Sequence, residues 1–147
     1  MFKGEYRHKL DKKGRIVLPS ELRDVISEKY MDKFVVTKWL NGCLAVFSEE
    51  TWKGITVKLK NVPLGNKDRL FFARTIFGLA ADTYMDRQGR LFIPFHLRGM
   101  LSIGKDVVIL GLDDRIEIWD GEKWGEYQKS QEKSFEDIAQ GLGDFGF

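Results

Sequence analysis

The segment Leu10-Asp11-Lys12-Lys13-Gly14-Arg15-Ile16-Val17-Leu18-Pro19 recurs 75 positions later as Met85-Asp86-Arg87-Gln88-Gly89-Arg90-Leu91-Phe92-Ile93-Pro94, and Leu22-Arg23 returns as Leu97-Arg98 in the same register. Such a repeat means that one structural unit is used twice, with its copies related by approximate symmetry. With 147 residues in all, each half is small. A lone unit of about 60 residues buries only about 60% of its unfolded surface and is marginal by itself. The two halves are therefore expected to share a core. The expected boundaries are a first unit with its C-terminal helix over residues 1–62, a connecting helix over 63–79, a second unit over 80–140 and a flexible tail over 141–147.

Each copy reads as a hairpin. Gly4 to Leu10 predicts a strand and Arg15 to Leu18 its partner. Asp11 and Asp86 suit the first position of a type I turn, where a carboxylate accepts from backbone amides. Gly14 and Gly89 suit the last position, where a positive φ is tolerated. Pro19 and Pro94 end the strands, since proline cannot donate to a ladder and starts helices well. Short helices are expected from Ser20 to Lys29 and from Phe95 to Leu101.

A second hairpin follows in each half, Phe34-Val35-Val36 with Leu44-Ala45-Val46-Phe47, and Val107-Val108-Ile109 with Ile116-Glu117-Ile118-Trp119. Asn41-Gly42 and Asp113-Asp114 mark their turns. Alternation places Glu117 outward on a half-buried strand. Ser48 and Asp120 are expected N-caps of the next helices, which carry the equivalent Trp52 and Trp124, and these two tryptophans suit core or subunit contact. Asn66 is expected to cap the connecting helix, which runs to about Leu79. Its Leu70, Phe71, Phe72, Ile76 and Phe77 spread around much of the circumference, the mark of burial within the domain or against another subunit.

Net charge is only +2, but it is unevenly spread. Residues 1–23 hold seven Lys/Arg against three Asp/Glu, whereas residues 106–147 hold four against eleven. That polarity either builds a local positive face or is ordinary solvated surface. The single cysteine, Cys43, precludes an internal disulfide and suits a reducing compartment. No apolar run approaches 18 residues, and the Met1-Phe2-Lys3-Gly4-Glu5 start lacks a signal-peptide core. A cytoplasmic protein is expected, with no membrane partner.

The Asp-x-x-Gly-Arg turn admits two readings. In one, Asp11 closes the turn and Arg15 pairs with a carboxylate to fix the strand. In the other, duplicated basic residues (Lys12 with Arg87, Arg15 with Arg90, Arg23 with Arg98) present charge with the two-fold symmetry of duplex DNA. Arginine suits that task because its rigid fork grips phosphate or the O6/N7 edge of guanine, while lysine acts as a point charge on the backbone. Enzyme readings fail. His8 and His96 occupy non-equivalent positions, so no repeated base or metal site forms, and Cys43 lacks a motif. The stretch Gly99-Met100-Leu101-Ser102-Ile103-Gly104-Lys105-Asp106 misses a phosphate-binding loop, because Asp106 stands where a hydroxyl should meet Mg²⁺. No catalytic residue, metal, cofactor or small-molecule substrate is expected.

The chain resembles the MraZ family of bacterial transcriptional regulators, encoded at the head of the division and cell-wall gene cluster. The resemblance covers nearly the whole chain. It rests on the Met1-Phe2-x-Gly4 start, the Asp-x-x-x-Arg motif at Asp11/Arg15 and Asp86/Arg90, the Leu18-Pro19 and Ile93-Pro94 strand ends, and Ile116-Glu117-Ile118-Trp119. It implies an α+β fold, a swapped-hairpin β-barrel of the AbrB type built from two tandem SpoVT-AbrB-like repeats, with peripheral helices. It also implies a ring-shaped homo-oligomer, nucleoid-associated, that binds tandem repeats of double-stranded promoter DNA. The motif residues would then be Asp11, Gly14, Arg15, Asp86, Gly89 and Arg90, with Lys12, Lys13, Arg87 and Gln88 along the same edge. Gln88 stands where the first copy has Lys13, so the second turn carries less charge. From another class, the same turns could serve a ring that binds an acidic protein. A toxin-binding antitoxin is disfavoured by the short tail.

Overall fold

The computed structural model describes residues 1–29 and 33–147. Strands β1 (Phe2–Lys9) and β2 (Arg15–Val17) flank the first turn, and helix α1 (Ser20–Lys29) follows Pro19. Strands β3 (Lys33–Lys38) and β4 (Leu44–Ser48) form a hairpin. Its loop bends through Asn41 and Gly42, with φ of 62° and 80°, the left-handed conformation that this dipeptide tolerates. Helices α2 (Glu49–Lys60) and α3 (Lys67–Leu79) come next. The second half repeats the order with β5 (Ala81–Tyr84), β6 (Arg90–Phe92), α4 (Phe95–Met100), β7 (Asp106–Asp113), β8 (Arg115–Asp120) and α5 (Gly121–Lys129). The expected caps are in place. Ser48, Asn66 and Asp120 accept from the backbone amides of Thr51, Arg69 and Lys123 at the starts of α2, α3 and α5.

The strands form a mixed α+β architecture whose sheets are antiparallel throughout. The larger sheet runs β1-β7-β8-β4-β3-β5, and β2 pairs with β6 in a separate two-stranded ribbon. Outward from the central β8–β4 pair, each arm is a hairpin of one half completed by the first strand of the other half. β1 lies along all eight residues of β7, and β5 pairs with β3. The halves are thus interleaved, as the size argument requires. Among the described residues, β1 and β5 are the two ends of the larger ladder.

Two faces of that sheet are covered. The inner face contributes Phe34, Val36, Leu44, Val46, Ile109 and Ile118 to one core, closed by Ile16 and Leu91 of the ribbon and by Leu22 and Leu97 of α1 and α4. On the outer face, Cys43, Val108, Leu110 and Trp119 pack with Trp39, Trp124 and Tyr127. Trp52 sits against Phe47 and Phe77 at ring-centroid distances of 5.8 and 5.1 Å, and Trp124 sits 5.0 Å from Trp119.

This second layer overturns one expectation. Glu117 faces away from the inner core, as alternation requires, yet it is buried. Its carboxylate accepts from Arg115 Nε and Trp119 Nε1, both at 3.0 Å. Beside it the Cys43 thiol is buried, and its pKa is pushed well above the usual thiol range, chiefly by burial and then by the Glu117 charge. A further helix that the sequence pattern does not signal, α6 (Phe135–Gly141), starts at a Ser134 cap, and a 3-10 turn follows at Gly143–Phe145.

Candidate nucleic-acid interface

The two turns preceding β2 and β6 have nearly the same geometry. In the first, Asp11 Oδ1 accepts from the amides of Lys13 and Arg15 at 2.9 Å each, and Oδ2 accepts from Arg15 Nε at 2.7 Å. In the second, Asp86 Oδ1 accepts from Gln88 and Arg90 at 2.9 Å each, and Oδ2 accepts from Arg90 Nε at 2.8 Å. Gly14 and Gly89 each donate to the carbonyl of the turn's aspartate at 3.0 Å. The acid, the glycine and the arginine are therefore one device. The carboxylate ties the turn and holds the arginine stem at the same time.

Both carboxyls titrate below the usual carboxylate range. The amide of Arg15 lowers Asp11 most, against a desolvation effect that raises it, and the Arg15 side chain and the Lys13 amide add to the lowering. Asp86 behaves alike through the Arg90 amide, the Arg90 side chain and the Gln88 amide. Each ion pair uses Nε, which among the described residues leaves the terminal guanidinium nitrogens for another acceptor. The arginine side chains are 32% and 26% exposed.

The glycines answer to two constraints. Their φ values are 83° and 75°. In addition, an arginine from the opposite half lies over each of them. A Cβ on Gly14 would sit 2.6 Å from Arg98 Cζ, and one on Gly89 would sit 2.5 Å from Arg23 Cδ. The exchange continues in the backbone, where Leu18 donates to Gly89 at 2.9 Å and Ile93 donates to Gly14 at 2.8 Å. Each turn is thus braced by the other repeat.

The ribbon register is Arg15↔Phe92, Ile16↔Leu91 and Val17↔Arg90. Opposed residues share a face, and alternate residues along a strand share it too. Ile16 and Leu91 point inward and are fully buried, so Arg15, Val17, Arg90 and Phe92 all lie on the outer face. The turns sit at opposite ends of this ribbon, roughly 13 Å apart at about 3.3 Å per residue. Lys12, Lys13, Arg87 and Gln88 are exposed at the two turns. Beside the first turn, a cleft lined by Asp11, Lys12, Arg98 and Lys105 gathers three cations around one acid.

All ten residues expected at the site therefore belong to one ribbon and its turns. The crossed seating of Arg23 and Arg98, the position of Lys105, and the exposure of Val17 and Phe92 escaped the sequence pattern. Only the recurrence of Leu-Arg at 22–23 and 97–98 carried a signal for the first of these.

Comparison with known proteins agrees with the internal symmetry. A family model described as "MraZ protein, putative antitoxin-like" matches twice, over residues 1–74 and 76–145. A protein named transcriptional regulator MraZ from Caldanaerobacter subterraneus subsp. tengcongensis is 45% identical over 145 residues, covering 99% of each chain. Proteins of the same name from Thermoanaerobacter sp. (strain X514) and Heliobacterium modesticaldum are 44% and 43% identical, covering 98% and 99% of each chain.

Proposed function

The chain belongs to the MraZ family, and we propose that it is a transcription regulator that binds duplex DNA with the outer face of the β2–β6 ribbon. In this reading the arrangement is a swapped-hairpin barrel of the AbrB type, in which two halves of one chain take the places of two chains. The target is tandem promoter repeats of the division and cell-wall gene cluster, and the binding species is a ring of copies in the nucleoid. The supporting observation is that both Asp-x-x-x-Arg turns end one exposed ribbon, each with its guanidinium tied, among the described residues, through Nε. The relatives' name points the same way and names no enzyme activity.

The chemistry follows from charge accounting. Asp11 neutralises Arg15 and Asp86 neutralises Arg90 in the free protein, so among the described residues the uncompensated charge of the turns comes from Lys12, Lys13 and Arg87. A few phosphate contacts of this kind give modest affinity and a shallow salt dependence, about −0.9 in log-log slope for each phosphate neutralised. Several protomers on evenly spaced repeats raise avidity by about 10²–10⁴. Exposed apolar side chains fit such assembly. Phe71 on α3 is 75% exposed and Phe135 on α6 is 81% exposed.

A gel shift on promoter DNA carrying tandem repeats tests the reading. Wild-type protein is expected to shift it in a salt-dependent manner and to leave a scrambled-repeat duplex unshifted. Arg15→Ala is expected to weaken the complex at least tenfold while the oligomer mass stays constant. An unchanged midpoint for that variant would remove the arginine turn from the contact surface. Equal binding to scrambled repeats, or none to either duplex, would favour a ring that recognises an acidic protein.

A further inference from the structure

We infer that Val17 and Phe92 read the 5-methyl groups of thymine in the major groove, as specificity-determining residues between the two arginine turns. This rests on the DNA-binding reading above and adds to it two apolar residues that no charge argument would select.

Every inward residue of the β2–β6 ribbon is fully buried, so its inner face is satisfied. On the outer face, where lysines or serines would cost nothing, stand Val17 at 43% exposure and Phe92 at 45%. The register sets Val17 opposite Arg90 and Phe92 opposite Arg15. Each end of the ribbon therefore offers one fork and one apolar surface side by side, in a pseudo-symmetric arrangement. Phe95, 76% exposed, lies under the Arg98 guanidinium, 5.5 Å from the ring centroid.

The charge around this patch selects its occupant. Lys12 and Lys13 stand at one end and Arg87 at the other, all exposed, so a second copy offering the same ribbon would be repelled. A polyanion is attracted instead. The major groove is about 12 Å wide and admits a two-stranded ribbon, whose strands lie about 4.8 Å apart. On the floor of that groove thymine contributes a C5 methyl, a group that apolar side chains contact, while guanine presents the O6/N7 edge that an arginine fork grips. A face carrying two forks and two apolar side chains matches both kinds of base edge. The phosphates on either side would meet the turn lysines.

The test uses full-length protein and a duplex chosen by the protein itself from a random-sequence library. That duplex is then synthesised in two forms, one with thymine and one with deoxyuridine, which lacks only the 5-methyl group. Wild-type protein is expected to bind the deoxyuridine form about fourfold more weakly for each methyl lost from an apolar contact. In the Val17→Ser/Phe92→Ser double variant the thymine-to-uracil ratio is expected to fall to near one, with binding to the uracil duplex retained and the thermal melt unchanged. A wild-type ratio near one overturns the inference while leaving DNA binding intact. A ratio that persists in the double variant also overturns it and assigns the methyl effect to duplex shape. Failure to select any sequence sinks the DNA-binding reading, and this inference with it.

Discussion

Single residues in this protein carry paired duties, and the glycines of the turns are the sharpest case. Gly14 and Gly42 both have φ near +80°, but only Gly14 is overlain by an arginine; nothing lies within 4 Å of a Cβ built on Gly42. Gly42→Ala should therefore cost only the left-handed strain, about 1 kcal/mol. Gly14→Ala and Gly89→Ala add displacement of Arg98 or Arg23 and should cost more, which urea titration of the three variants will rank. The aspartates set a pH dependence of definite sign. Their folded pKa values are depressed, chiefly by the Arg15 and Arg90 amides, so their contribution is complete above the ordinary carboxylate value of about 3.9. It is lost as pH falls through the lower folded values. The expected outcome is that Asp11→Asn/Asp86→Asn melts lower than wild type at pH 7, with the gap closing towards pH 2. The types and spacing of these residues were legible in the linear order, because a turn bonds to itself. The arginines that lie over them come from 84 residues away at Gly14 and 66 at Gly89, and linear order says nothing about that neighbour.

Among the elements, strand β8 shows where periodicity stops informing. Alternation assigns Ile116 and Ile118 to one face and Glu117 to the other, and the structure agrees. Which face meets water is a separate matter, settled here by α5, whose Trp124 and Tyr127 cover the second face beside Trp119. Glu117 survives burial because Arg115 and Trp119 satisfy it. Glu117→Ala should cost about 1–3 kcal/mol, since it strands the indole donor, and Glu117→Gln should cost less because it keeps an acceptor; chemical denaturation of both variants will check the order. Helices α2, α3 and α5 were legible from their caps and apolar spacing, because a cap is a contact within four residues. Helix α6 was not, although Ser134 caps it in the same way, since its Phe135 and Ile138 are exposed and form no long apolar stripe.

For the whole molecule, interleaving is the property from which the rest follows. With β1 against β7 and β5 against β3, neither half can present its turn without the other, so the two arginines are held at a constant separation. On the proposed DNA-binding reading, affinity for spaced repeats would depend on how many such units are joined. Phe71→Asp, placed on the exposed face of α3, is expected to yield a smaller species in light scattering with an unchanged melt of the protomer. Its binding to a multi-repeat duplex should fall by about 10²–10⁴, while binding to a single repeat stays the same. The amino-acid order settled the repeat, the two tied turns, the caps and the chemistry of their side chains, because each depends on contacts a few residues long. Strand exchange between the halves, the arginines crossing onto opposite glycines, the covered face around Glu117 and the gathering of Arg15, Val17, Arg90 and Phe92 on one ribbon were the work of the folded chain. All but the third depend on contacts between segments 45 to 111 residues apart, and the third on α5 packing back over β8; many registers preserve the same local pattern, and packing alone selects one.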